Sequence, residues 1–135
     1  MMKKMMLGIC LLTAVTFTAP LALPSTAEAN WSSWSDTSLN SSDGWKRTGA
    51  FSGKTTSRLE WSAVASTKTM WSNPQKRMVN SNNALRGNAV TLSNTNQVYT
   101  NSTNNALPGY NYYAQIRPAW NQVGTDTITS RHNAH

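Results

Sequence analysis

From residue 30 onward the chain holds only 13 Leu, Ile, Val and Phe in 106 residues, whereas Ser, Thr and Asn supply 43. An aliphatic content this low is typical of chains that fail to build a core. Two features oppose disorder. Charged residues make up only 13% of the sequence, whereas disordered chains usually carry many charges. Trp, Tyr and Phe number 11 over the same 106 residues, and each ring buries roughly 150–250 Å² when it docks. Aromatic rings can therefore do the work that Leu and Ile usually do. The composition predicts one small domain with an aromatic core, near the size at which core volume becomes limiting.

Residues 1–29 follow another pattern. Lys3 and Lys4 precede the apolar run Leu7 to Phe17, and Ala27-Glu28-Ala29 closes the segment. A basic start, a short apolar stretch and a small-x-small end are the parts of a cleaved secretory signal peptide. Cleavage is expected after Ala29, with Ala27 as the alternative. The apolar run is shorter than the ~20 residues of a membrane-spanning helix, and no second one follows. No transmembrane segment is expected in the mature chain. The single cysteine, Cys10, sits inside this run, preceded by Ile9 and followed by Leu11 and Leu12, which argues against a lipidated cysteine. The exported chain is thus disulfide-free and must be held by packing and hydrogen bonds. The expected location is secreted and extracellular, including association with a bacterial, Gram-positive, cell wall.

Short segments with period-2 alternation, separated by turn residues at roughly ten-residue spacing, predict an all-β fold. The expected form is a small antiparallel β-sandwich or barrel of about seven short strands. Residues 30–44 read as a polar N-terminal arm or edge segment whose indoles dock elsewhere. Residues 45–131 form the β domain, and residues 132–135 a frayed tail. In the segment Thr55 to Val64, Leu59, Trp61 and Ala63 share one face. Arg86-Gly87-Asn88 reads as a turn. Tyr110 to Pro118 is the clearest strand, with Tyr110, Tyr112, Ala114 and Ile116 on one side and Asn111, Tyr113, Gln115 and Arg117 on the other. Thr125 to Arg131 is the last strand, with Ile128 inward, and is expected to pair with it as a hairpin. Trp45, Trp61 and Trp71 are assigned to the core.

Chemistry-bearing residues are few. After residue 29 the acids are Asp36, Asp43, Glu60 and Asp126, and the histidines are His132 and His135. Asp36 and Asp43 lie in turn-rich sequence, where capping is the usual role. Two histidines without cysteine do not make up a zinc site, which takes three or four ligands, so no metal and no cofactor is expected. A nucleophile elbow and a phosphate-cradling glycine loop are both missing. One enzyme class fits by residue type: a small secreted ribonuclease with Glu60 as base, His132 as acid, and Arg58 and Arg117 on the phosphate. The primary expectation is a chain without catalytic function.

Residues 30–135 carry 10 basic and 4 acidic residues, a net charge of +6, which favours polyanions. The basic residues are scattered, without a run that marks a specific nucleic-acid partner. Exposed rings beside Asn, Gln or Arg also grip sugars. The candidate ligand-binding residues are Trp31, Trp34, Tyr113, Arg117 and Trp120. The expected function is a secreted, cationic, non-catalytic protein that binds a cell-wall polyanion or glycan, or another component of the cell surface or extracellular matrix. The alternative is a secreted antibacterial, bacteriocin-like protein acting on a target-cell envelope. The C-terminal third, with Gly109-Tyr110, Tyr112-Tyr113, Gln115-Ile116-Arg117 and the segment Thr125 to Ser130, resembles small exported β-rich proteins of bacilli. That resemblance implies a β-rich fold and export, and names no site.

Overall fold

A computed structural model describes residues 30–68 and 73–135. The signal segment with Cys10, and Trp71, lie outside the described residues. Eight strands follow one another: β1 (Ser35–Asn40), β2 (Lys46–Gly53), β3 (Glu60–Thr67), β4 (Gln75–Val79), β5 (Leu85–Thr91), β6 (Val98–Ser102), β7 (Asn111–Arg117) and β8 (Thr125–Asn133). They form two four-stranded antiparallel sheets, ordered β1-β8-β3-β6 and β2-β7-β4-β5. The fold is all-β, as the alternation predicts, with eight strands rather than about seven.

The additional strand comes from the segment expected to be a polar arm. In β1, Thr37 and Leu39 point inward and are buried while their neighbours face solvent. Ser35 to Asn40 pair with Ser130 to Thr125 of β8, so this segment is an integral edge strand. The tail is corrected in the same way. His132 and Ala134 are fully buried and Asn133 is 1% exposed. Thr56 donates from its backbone N–H and its Oγ1 to the His135 carbonyl, and Lys54 Nζ donates to the carbonyl of Ala134 at 3.1 Å. A tail tied down by side-chain donors does not fray.

The expected β7–β8 hairpin does not form. β7 pairs with β2 and β4 in the second sheet, whereas β8 pairs with β1 and β3 in the first. The loop of residues 118–124 carries the chain from one sheet to the other. The Gln122 side-chain amide fastens it, donating to the carbonyls of Leu39 at 2.8 Å and Gly124 at 3.2 Å.

Trp61 is the largest buried side chain and is fully enclosed. Its Nε1 donates to the Asn88 carbonyl at 2.9 Å, which satisfies the one polar atom of the ring. Arg86-Gly87-Asn88 is no turn: it lies within β5. A Cβ on Gly87 would stand 2.6 Å from Trp61 Cδ1 and 2.8 Å from Met78 Cβ. The glycine is there because an indole packs against the backbone. Leu59, expected beside Trp61, is 76% exposed, because β3 starts one residue later. In β7, Tyr112, Ala114 and Ile116 are buried as the alternation predicts. Tyr110 falls outside the strand and is exposed.

With so few aliphatic residues, polar groups also fill the interior. Lys76 is fully buried, with Nζ 2.8 Å from Ser130 Oγ. Loss of hydration pulls its ammonium from the ordinary lysine value down to about 7. Ser52 Oγ donates to the Asn30 carbonyl and accepts the Ala134 N–H. Thr48 Oγ1 donates to the Ala114 carbonyl. The two hydroxyls thereby pair the Asn30 and Ala114 carbonyls and the Ala134 N–H, as buried backbone groups require.

Candidate binding face

The outer face of the second sheet is built on a repeated triplet. β4 begins Gln75-Lys76-Arg77, and β7 ends Gln115-Ile116-Arg117. The middle residues point inward and are buried. In antiparallel register Gln75 faces Arg117 and Arg77 faces Gln115. The two Gln–Arg pairs are therefore reciprocal. Arg117 donates from Nε at 2.9 Å and Nη2 at 2.6 Å to Gln75 Oε1, and Arg77 Nε donates to Gln115 Oε1 at 2.8 Å. Both guanidiniums are positioned by neutral amides, so their charges stay uncompensated. On the neighbouring strand, Arg47 faces Gln115 and its Nη1 donates to the Ser81 carbonyl and Asn83 Oδ1.

Aromatic rings complete the positioning. The guanidinium carbons of Arg77 and Arg117 lie 4.2 and 4.6 Å from the centroid of Trp45. Arg47 lies 3.8 Å from the ring of Tyr113, which in turn meets Phe51 at 6.0 Å between centroids. Contacts of this kind favour the cation by about 0.5–1 kcal/mol each at exposed sites. Arg77 is drawn below the ordinary guanidinium range by burial first and by the charge of Arg117 second. Trp45, expected in the core, is half-buried and belongs to this face.

The acids lie elsewhere. Asp36 accepts from Thr129 Oγ1 on the first sheet, Glu60 pairs with Arg58, and Asp126 is buried in β8. Asp43 reaches the margin of the face, where it accepts the Asn40 N–H at 2.7 Å and stands 4.0 Å from Lys46 Nζ. Among the described residues, then, the face with three arginines is rimmed by one carboxylate.

A cleft of about 820 Å³ opens at one end of this face, lined by Trp45, Gln75, Arg117, Asp43 and Trp120 among others. Trp120 is 96% exposed. A second cleft, of about 460 Å³, lies between Trp31, Trp34, Gly49 and Phe51. There the Arg131 guanidinium stands 4.8 Å from the ring of Trp31 and 4.6 Å from that of Trp34. The five residues singled out in the sequence thus fall into two groups. Arg117 and Trp120 share the larger cleft, with Tyr113 four residues back along β7, about 14 Å at ~3.4 Å per residue. Trp31 and Trp34 share the smaller one, and the Phe51–Tyr113 contact joins the two.

Arg47, Arg77, Gln75, Gln115, Trp45 and Phe51 were not among the sequence candidates. Three of them, Gln75, Arg77 and Gln115, belong to Gln-x-Arg triplets visible in the sequence, but their pairing depends on a register that the sequence does not display. Two Gln-x-Arg triplets on neighbouring antiparallel strands form reciprocal pairs whenever the register sets Gln against Arg.

The ribonuclease set does not assemble. His132 is fully buried and its Nε2–H donates to the Tyr112 carbonyl at 3.0 Å, while Nδ1 has no hydrogen-bond partner. Burial, and then the charge of Lys76, hold its acidity at about 3, so the ring stays neutral and out of substrate reach. Arg117 stands on the other sheet. The histidine nearer Glu60 is His135, whose Nε2 lies 2.9 Å from Ser62 Oγ, a hydroxyl that is itself buried. Among the described residues no group of three His, Cys, Asp or Glu side chains could hold a metal ion, and no helix is long and apolar enough to cross a membrane. Compared with known proteins, the chain matches no family model, no curated protein and no solved structure.

Proposed function

We propose that the protein is an exported, non-catalytic binding module for an anionic component of the cell surface, and that it binds through the outer face of the second sheet. One observation carries this reading: Arg47, Arg77 and Arg117 share that face, each fixed by neutral acceptors and against an aromatic ring. Fixed arginines lose little freedom on binding an anion, and oriented guanidiniums suit phosphate, sulfate and carboxylate groups. Trp120 adds an exposed ring beside them for the apolar face of a sugar or polyol.

The test is a pull-down of purified protein with isolated cell wall, anionic liposomes and RNA at low and high salt. Binding to cell wall that fades with salt supports the reading, because exposed charges are screened within about 10 Å at 0.1 M. Binding to none of the three at low salt overturns it.

A further inference from the structure

Two guanidiniums packed on one indole are an unusual expenditure of like charge. Arg77 and Arg117 both lie over Trp45 and no carboxylate comes between them. Their hydrogen bonds are also incomplete. Arg77 uses only Nε, on Gln115. Arg117 uses Nε and Nη2, both on the one oxygen of Gln75. Among the described residues, both Nη groups of Arg77 and Nη1 of Arg117 have no protein acceptor. We propose that Arg77, Arg117 and Trp45 form a phosphate site, and that the 820 Å³ cleft beside them takes a polyol or sugar polymer linked by phosphodiesters.

This inference rests on the anionic-surface reading above and names the chemistry of its ligand. A carboxylate is planar, and one guanidinium fork satisfies both of its oxygens. A phosphodiester presents its two free oxygens tetrahedrally, so each of two separate guanidiniums can take one. The neighbouring unit of the polymer then meets Trp120. Among the tryptophans placed at the surface, Trp31, Trp34 and Trp45 each have a guanidinium against the ring. Trp120 has none and is 96% exposed. Among the described residues Trp120 is thus the one surface indole free of a guanidinium, and one such ring suits one polyol or sugar unit. It does not suit single-stranded nucleic acid, whose binders stack successive bases on successive rings. Asp43, on the rim, opposes the ligand weakly because the Asn40 N–H and Lys46 already engage it.

The experiment is a fluorescence or calorimetric titration of the purified protein at low salt. The probes are poly(glycerol phosphate), polygalacturonate of matched charge, an RNA oligomer and phosphatidylglycerol vesicles. The expected result is affinity for poly(glycerol phosphate) at least tenfold above that for the other three. Arg77→Gln and Arg117→Gln should each weaken it about tenfold or more. Arg117→Lys keeps the charge but loses the guanidinium plane that Gln75 and Trp45 hold in place, so the second phosphate oxygen loses its fixed donor; the variant should bind polygalacturonate as before while losing the preference for phosphate. Asp43→Asn should tighten binding. Near-UV circular dichroism checks the fold of each variant, and Arg117→Lys decides the matter if a glutamine variant fails to fold. Equal affinity for polygalacturonate, tighter binding of RNA or vesicles, or indifference to Arg117→Lys overturns the phosphate site while leaving a polyanion-binding face in place. No salt-sensitive binding to any probe overturns both.

Discussion

Replacing Lys76 by Met should stabilise the protein and remove a pH dependence. Lys76 is sealed between the sheets with Ser130 Oγ at 2.8 Å, and its ammonium loses its proton at about 7. In the unfolded chain a lysine keeps that proton to about 10.4. At about 1.4 kcal/mol per pH unit, the native state is penalised by roughly 5 kcal/mol wherever both forms would be charged. The sign follows from the lowered value. The penalty is complete below pH 7 and relaxes as pH rises toward 10.4, because only the unfolded state then holds the proton. Between pH 7 and 9 the wild-type protein should therefore gain roughly 2 kcal/mol. Lys76→Met removes the charge and keeps an unbranched apolar chain. It also leaves Ser130 Oγ without this partner, which costs about 1–3 kcal/mol. The net gain at pH 7 is then roughly 2 kcal/mol, with no rise toward pH 9. Urea unfolding followed by tryptophan fluorescence at pH 5.5, 7 and 9 measures both quantities. A wild-type midpoint that is flat from pH 7 to 9, or a variant that retains the rise, would refute the burial argument.

Gly87→Ala should lose roughly 1–3 kcal/mol in the same unfolding assay, since its Cβ would fall 2.6 Å from Trp61 Cδ1 and overpacking a core carries a cost of about that size. His132 is neutral in the folded state with a value of about 3, so its contribution is present above pH 6.5 and falls away as pH drops toward 3. By pH 4 the loss should reach roughly 3 kcal/mol, and His132→Gln, which keeps a donor for the Tyr112 carbonyl, should lower the midpoint of acid unfolding seen by circular dichroism. Trp120→Ala should reduce retention on cell wall with no change in the near-UV spectrum, because the ring is 96% exposed; loss of that spectrum would place the ring in the fold.

What was legible in the sequence was local. The alternation in β7 correctly placed Tyr112, Ala114 and Ile116 inside and left Tyr113 and Arg117 outside. Ile128 was readable for the same reason. Pairing was not legible, because a strand's partner is chosen by the packing of both sheets. The seven-residue loop that looked like a hairpin connection crosses between sheets instead. β1 and the tail were hidden by composition. Their inward positions are held by Thr37, Leu39, His132 and Ala134, only one of which is a strong apolar residue. Their burial depends on hydrogen bonds that only the assembled sheets supply. On the candidate face, Tyr113, Arg117 and Trp120 were legible as outward residues. Arg77 and Trp45 were not, since their role comes from the register that stacks two strands' arginines on one ring.

The central claim is that anions are held by the arginines of the second sheet's outer face. Its most direct measurement is the salt dependence of binding to poly(glycerol phosphate), wild type against Arg77→Gln. With Arg77 and Arg117 sharing one phosphate and Arg47 taking a second, log K should fall with log salt at a slope of about −1.4, from about −0.7 per phosphate on a flexible strand. Arg77→Gln should reduce that slope by about 0.7. A slope near zero, or one unchanged by the substitution, would contradict the account.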